Sequence, residues 1–171
     1  MAKNVVLIGF MGTGKSSIGI RLAQKLKRKF VDMDREIEMV CDMSVAEIFK
    51  RYGEVRFRSE ERLMAAKLGR EQDLIISTGG GAVLVRENMT ALQENGILIC
   101  LEASPADIFA RVNRKKGTRP LLRNNISVAD IERLLQEREP FYAQADVRIN
   151  TSGKDFEQII REILQVLQDK K

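Results

Sequence analysis

The residues Gly9-Phe10-Met11-Gly12-Thr13-Gly14-Lys15-Ser16 satisfy the pattern G-x-x-x-x-G-K-[ST] at every fixed position. Glycines let a backbone curl so that successive N–H groups face inward onto phosphate oxygens. Lys15 can then reach the outer phosphates of a nucleoside triphosphate, and the Ser16 hydroxyl can ligate Mg²⁺. An apolar run precedes the loop and helical spacing follows it, the context this chemistry requires. The bland alternative is a glycine-rich turn that binds nothing, with lysine, serine and context coinciding by accident. The motif specifies a triphosphate and leaves the fate of the phosphate open.

Other residues could decide that fate. The apolar run 74–76 leads into Ser77-Thr78-Gly79-Gly80-Gly81, with no acid at its end, so the metal-side carboxylate must come from elsewhere. Asp32 and Asp34 are the candidates. Two residues apart on an extended strand, they would share one face and enter one crevice. The competing reading is that one of them simply caps a helix at Arg35. Gly79, Gly80 and Gly81 either bare their backbone to a ligand or form a flexible turn. Arg56, Arg58 and Arg62, with Glu60 and Glu61, read equally well as a solvated helix face with paired charges. Pro140 is expected to interrupt its helix and leave Arg138 at a fixed bend; an ordinary surface arginine is the alternative.

These residues need elements to position them. Short apolar runs at 5–8, 30–31, 74–76, 97–101 and 147–149 read as strands, mostly buried on both faces. Between them, 15–25, 35–41, 45–51, 58–68, 87–94 and 105–112 carry helical spacing. Ser44 with Glu47 forms a capping-box pattern, Ser104 precedes a first-turn proline, and Ser127 caps a helix starting near Val128. A last helix is expected over 155–168. Strands alternating with helices imply an α/β fold with a parallel sheet covered on both faces.

Composition narrows the function. At 171 residues, 44% hydrophobic and 31% charged, the chain reads as a single domain spanning 1–171. With no histidine, histidine-based catalytic triads and metal sites are excluded. The two cysteines lack metal-ligand spacing. No apolar run approaches the ~20 residues of a membrane span, and the first residues lead straight into a strand, so a cytoplasmic protein is expected. The net charge of +5 is concentrated in Arg111, Arg114, Lys115, Lys116, Arg119 and Arg123, with no acid between Ile108 and Ala129. This loop reads as a mobile lid over about 112–125, suited to a compact polyphosphate more than to a long duplex. Aromatic content of 5% also offers little for base stacking.

Taken together, the phosphate loop, the Asp32/Asp34 pair, Phe57-Arg58 with Glu61, Ser77 through Gly81, Arg119-Pro120-Leu121-Leu122, and Arg138 with Pro140 and Tyr142 resemble the shikimate kinase family. The resemblance runs over residues 5–150 in the family's order and spacing. It implies a three-layer P-loop fold with a five-stranded parallel sheet and a mobile lid. It also implies transfer of the ATP γ-phosphoryl to the 3-hydroxyl of shikimate, with Mg²⁺ as cofactor. By this resemblance Gly12, Thr13, Gly14, Lys15, Ser16 and Ser17 bind the phosphates, and Ser16 and Asp32 serve the metal. Asp34 orients or deprotonates the attacking hydroxyl. Arg58 and Arg138 hold the substrate carboxylate, Gly80 and Gly81 touch substrate through backbone, and Glu61 holds Arg58. Arg119 covers the transferring phosphoryl, Arg111 stacks on adenine and Lys154 lies near it. A monomer with ATP and shikimate as its partners, touching neither nucleic acid nor membrane, is expected. The rivals are another small-molecule or nucleotide kinase of the same fold, a non-catalytic P-loop module, and, last, a nucleic-acid binder.

Overall fold

Every residue of β1 (Asn4–Ile8) is buried, as happens to a strand covered on both faces. In the computed structural model, which describes residues 2–114 and 126–170, β1 lies at the centre of a five-stranded, wholly parallel sheet. The other strands are β2 (Lys29–Asp32), β3 (Leu74–Ser77), β4 (Gly96–Glu102) and β5 (Val147–Asn150), in the order β2-β3-β1-β4-β5. Val5 pairs with Ile75 on one side and Ile97 on the other. Arg119 and most of the expected lid lie outside the described residues.

Alternation along the strands divides the core. Val6, Ile8, Ile76, Leu98 and Cys100 face one layer; Val5, Leu7, Ile75, Ile99 and Leu101 face the other. The second layer is closed by α1 (Lys15–Leu26) and α7 (Phe156–Asp169), through Ile18, Leu22, Ile159, Ile160 and Ile163. The first is closed by α2 (Met33–Cys41), α3 (Val45–Arg70), α4 (Arg86–Glu94), α5 (Pro105–Asn113) and α6 (Val128–Tyr142). Each such buried aliphatic side chain contributes about 1.5–3 kcal/mol. Among the described residues, no helix is long and apolar enough to cross a membrane.

Sequence signals start most helices where expected. Ser104 Oγ accepts from Asp107 N, and Ser127 with Asp130 forms a full capping box. Asp155 with Gln158 forms another, while Ser44 Oγ accepts from Glu47 N at 3.1 Å.

Three expectations are corrected. α2 starts at Met33, so Asp34 lies in its first turn and does not share a strand face with Asp32. The cause is Asp32 itself, which caps α2 by accepting from the N–H groups of Asp34 and Arg35. The helices expected at 45–51 and 58–68 run together as α3, broken only at Gly53 (φ 80°, ψ 178°). A Cβ there would meet nothing within 4 Å, so Gly53 serves its positive φ alone. Pro140 does not interrupt α6, which continues to Tyr142. One bond is lost, to a Gln136 carbonyl on an exposed residue that water can satisfy.

α3 packs closely on α4 at Gly69, where a Cβ would fall 2.1 Å from the Ala91 carbonyl oxygen. Gly69→Ala should force α3 and α4 apart and cost about 2 kcal/mol, or roughly 4–8 °C in Tm. Thermal unfolding checks this; an unchanged Tm would show that the helices separate freely.

Candidate active site

The phosphate loop leaves β1 at Gly9, which has a φ of 142° and where a Cβ would fall 2.4 Å from the Leu101 carbonyl oxygen, so no side chain fits. It ends at Gly14, the left-handed N-cap of α1, which offers no side-chain cap. The first-turn N–H groups of α1 and the positive end of its dipole therefore face the crevice beyond the strand ends. Lys15 curls back, its Nζ donating to the carbonyls of Gly9 (2.7 Å) and Phe10 (3.0 Å). Thr13 is buried, its hydroxyl donating to the Phe10 carbonyl at 2.7 Å.

Ser16 Oγ donates to Asp32 Oδ2 at 2.9 Å and lies 3.3 Å from Ser77 Oγ. This hydroxyl–carboxylate pair is a hard oxygen donor set next to the phosphate loop. It fits Mg²⁺, which takes one or two protein oxygens and keeps water and substrate phosphates for the rest. Among the described residues, no cluster of three or more acidic, cysteine or histidine side chains offers an all-protein metal cage.

Asp34 projects into a cavity of about 540 Å³ that Lys15, Ser16, Asp32, Arg58, Glu61 and Gly80 also line. Its Oδ1 is buried without a hydrogen-bond partner among the described residues. Burial, then the charges of Asp32 and Glu61, push its carboxyl up to about 6, against the pull of Lys15. Glu61 is 1% exposed; Oε1 accepts from Arg58 Nη1 at 2.9 Å, and Oε2 has no partner among the described residues. Burial raises its carboxyl too, opposed by Arg58.

The glycine loop after β3 fits between these charges. A Cβ at Gly79 would fall 2.7 Å from Asp34 Oδ1, and one at Gly81 2.4 Å from Arg58 Nη2. Arg138 Nη1 donates to the Gly80 carbonyl at 2.9 Å, with Cζ 5.1 Å from the Phe10 ring centroid. Arg58 and Arg138 thus bracket Gly80 and Gly81, although Arg138 stands at the rim, outside the cavity lining.

A second cavity, of about 490 Å³, adjoins the other side of the phosphate loop. Gly12, Thr13, Gly14 and Ser17 line it with Arg111 and Lys154. Arg111 Nη1 donates to the Gly12 carbonyl (3.1 Å) and Thr151 Oγ1 (3.3 Å), while Lys154 is tied to Glu162 at 2.7 Å. The structure adds lining residues that sequence reading passed over: Phe49 and Glu38 in the first cavity, Thr151 and Phe156 in the second. Glu38 carries no motif; its carboxylate accepts from Val45 N at 3.1 Å, and its charge adds the smallest of the upward pushes on Asp34.

A carboxyl whose folded pKa lies above its unfolded value of 3.8 destabilises the fold once ionised. The cost is absent below the unfolded value and complete above about 6. Asp34→Asn should therefore stabilise the protein by on the order of 2 kcal/mol at pH 8, a gain that vanishes near pH 4. Tm measured across pH checks this; an equal gain at both pH values would mean that charge is not the cause.

Comparison with known proteins agrees with this geometry. The shikimate kinase family model matches residues 11–168. The shikimate kinase of Pelotomaculum thermopropionicum is 49% identical, over 98% of this chain and 96% of its own length. That of Desulforudis audaxviator is 46% identical, over 98% and 88%. The solved structure of shikimate kinase from Acinetobacter baumannii in complex with shikimate superposes with a TM-score of 0.93 at 33% identity, covering 100% of this chain and 96% of that one. A gluconokinase from Sinorhizobium meliloti, at 16% identity and a TM-score of 0.62, shares the fold alone. With a phosphate loop, a buried acid and a glycine loop between two arginines in one crevice, and with matches of this extent, the chain belongs to the shikimate kinase family.

Proposed function

We propose that this chain transfers the γ-phosphoryl of ATP to the 3-hydroxyl of shikimate through the crevice at the carboxyl ends of β1, β2 and β3. The hydroxyl oxygen forms the new bond to the γ-phosphorus, the bond to the bridging oxygen of ADP breaks, and the hydroxyl proton passes to Asp34. The observation that carries this reading is the position of Asp34. Its carboxyl, raised and with Oδ1 unpartnered among the described residues, shares a cavity with Lys15 and the first turn of α1, so a hydroxyl held there faces both a proton acceptor and the phosphates.

Gly12, Thr13, Gly14, Lys15, Ser16 and Ser17 cradle the phosphates, and Lys15 exchanges its carbonyl partners for the transferring group. Ser16 and Asp32 hold Mg²⁺, which when bound neutralises phosphate charge as a Lewis acid. Arg58 and Arg138 grip the carboxylate of shikimate as planar forks, and Glu61 keeps Arg58 in place. The backbone of Gly80 and Gly81 lies against the ring. Arg111 and Lys154 flank the adenine. Arg119, outside the described residues, carries the positive charge that meets the transition state. The chain works as a monomer in the cytoplasm.

ADP release measured with and without shikimate, gluconate or nucleoside monophosphates should rise with shikimate alone. Asp34→Asn should lower kcat by about 10²–10⁴. Arg58→Lys and Arg138→Lys should each weaken shikimate binding by about 1.5–3 kcal/mol, roughly 10–150-fold, with ATP affinity within twofold. A shikimate analogue without the carboxylate should bind the wild type and both variants equally weakly. If that analogue binds wild type as well as shikimate does, the clamp is misassigned.

A further inference from the structure

Arg148 has no part in that chemistry, yet its guanidinium joins three elements. It stands on β5 opposite Cys100 of β4. Its Nε donates to Glu102 Oε1 at the end of β4. Nη1 and Nη2 grip both oxygens of Glu139 on α6 as a fork, the Nη2 bond measuring 2.8 Å. Glu139 adjoins Arg138, whose guanidinium reaches the Gly80 carbonyl over the Phe10 ring. Successive helical residues point about 100° apart, so one turns to the glycine loop and the next to the sheet edge.

The local backbone lacks one restraint in this turn. Pro140 has no N–H to donate to the Gln136 carbonyl, so the helix is short of one bond where Arg138 must be aimed. The fork from β5 supplies a side-chain restraint in its place, anchored on a strand. Arg148, Glu102 and Glu139 remain 36%, 36% and 54% exposed. Ion pairs so open to water add little stability, whereas a planar fork fixes direction.

We infer that Arg148 is a positioning residue for the acceptor: by gripping Glu139 it sets the last turns of α6 and hence the orientation of Arg138. The inference rests on the proposed role of Arg138 in holding shikimate. The test compares Arg148→Gln, Arg148→Lys, Arg138→Lys and the double variant Arg148→Gln/Arg138→Lys in kcat, KM for shikimate, KM for ATP and Tm. Arg148→Gln should raise the shikimate KM about 3–10-fold while kcat, ATP KM and Tm stay near wild type. Arg148→Lys, a point charge without the fork, should recover only part of that loss. The double variant should be no worse than Arg138→Lys, because the two residues act in series. Three results would overturn the inference: an unchanged shikimate KM in Arg148→Gln beside a raised one in Arg138→Lys, both KM values rising with a fall in Tm, or losses that multiply in the double variant. If Arg138→Lys itself leaves the shikimate KM unchanged, the carboxylate clamp fails and this inference falls with it.

Discussion

Both oxygens of the Asp32 carboxylate are engaged, Oδ2 by the Ser16 hydroxyl and Oδ1 by the N–H groups of Asp34 and Arg35. This residue therefore ties the start of α1 to the start of α2, and the two helix N-termini meet over the crevice. A helix begun one turn later would leave Asp34 on a loop. Begun at Met33, it presents Asp34 from a rigid first turn, close enough to feel the charge of Lys15. The cap of α2 and the proposed metal-side role of Asp32 draw on the same arrangement: the geometry that starts the helix also sets Oδ2 against Ser16 of the phosphate loop.

The crevice concentrates groups that repel or lose hydration. Burial raises the carboxyls of both Asp34 and Glu61; the charges of Asp32 and Glu61 push Asp34 further up against Lys15, and Arg58 opposes the rise at Glu61. Such an arrangement is sustained by the packing beneath it. Two apolar layers, one on each face of the sheet, bury β1 entirely and leave the loops at its carboxyl end little freedom to relax. Glycine at 79 and 81 completes the design by subtraction, since any side chain there would occupy the space of the Asp34 carboxylate or the Arg58 guanidinium.

Much of this was legible in the residues. The strand runs, helix starts and phosphate loop each rest on local chemistry, and local chemistry decides them. The glycine loop was legible as a place of close approach, although what approaches it from the protein side, Asp34 and Arg58, depends on the fold. The misreadings have a common origin. Alternation looks two residues ahead and so puts Asp34 on a strand, while a cap acts on the N–H groups of the following turn. The proline rule predicts a break at Pro140 from a lost bond, and near a helix end water absorbs that loss. Glu38, Thr151 and Phe156 were illegible because they reach the cavities only through tertiary packing.

A parallel sheet of this kind ends in two unpaired edges, here β2 and β5. Open edges invite strands of other molecules to add on, and the usual protections are brevity and charge. Both edge strands are four residues long, and each carries an exposed cation, Lys29 on one and Arg148 on the other. At β5 that cation is a guanidinium already bound to two carboxylates, those of Glu102 and Glu139. The brevity and charge of both edge strands thus oppose extension of the sheet by a second chain.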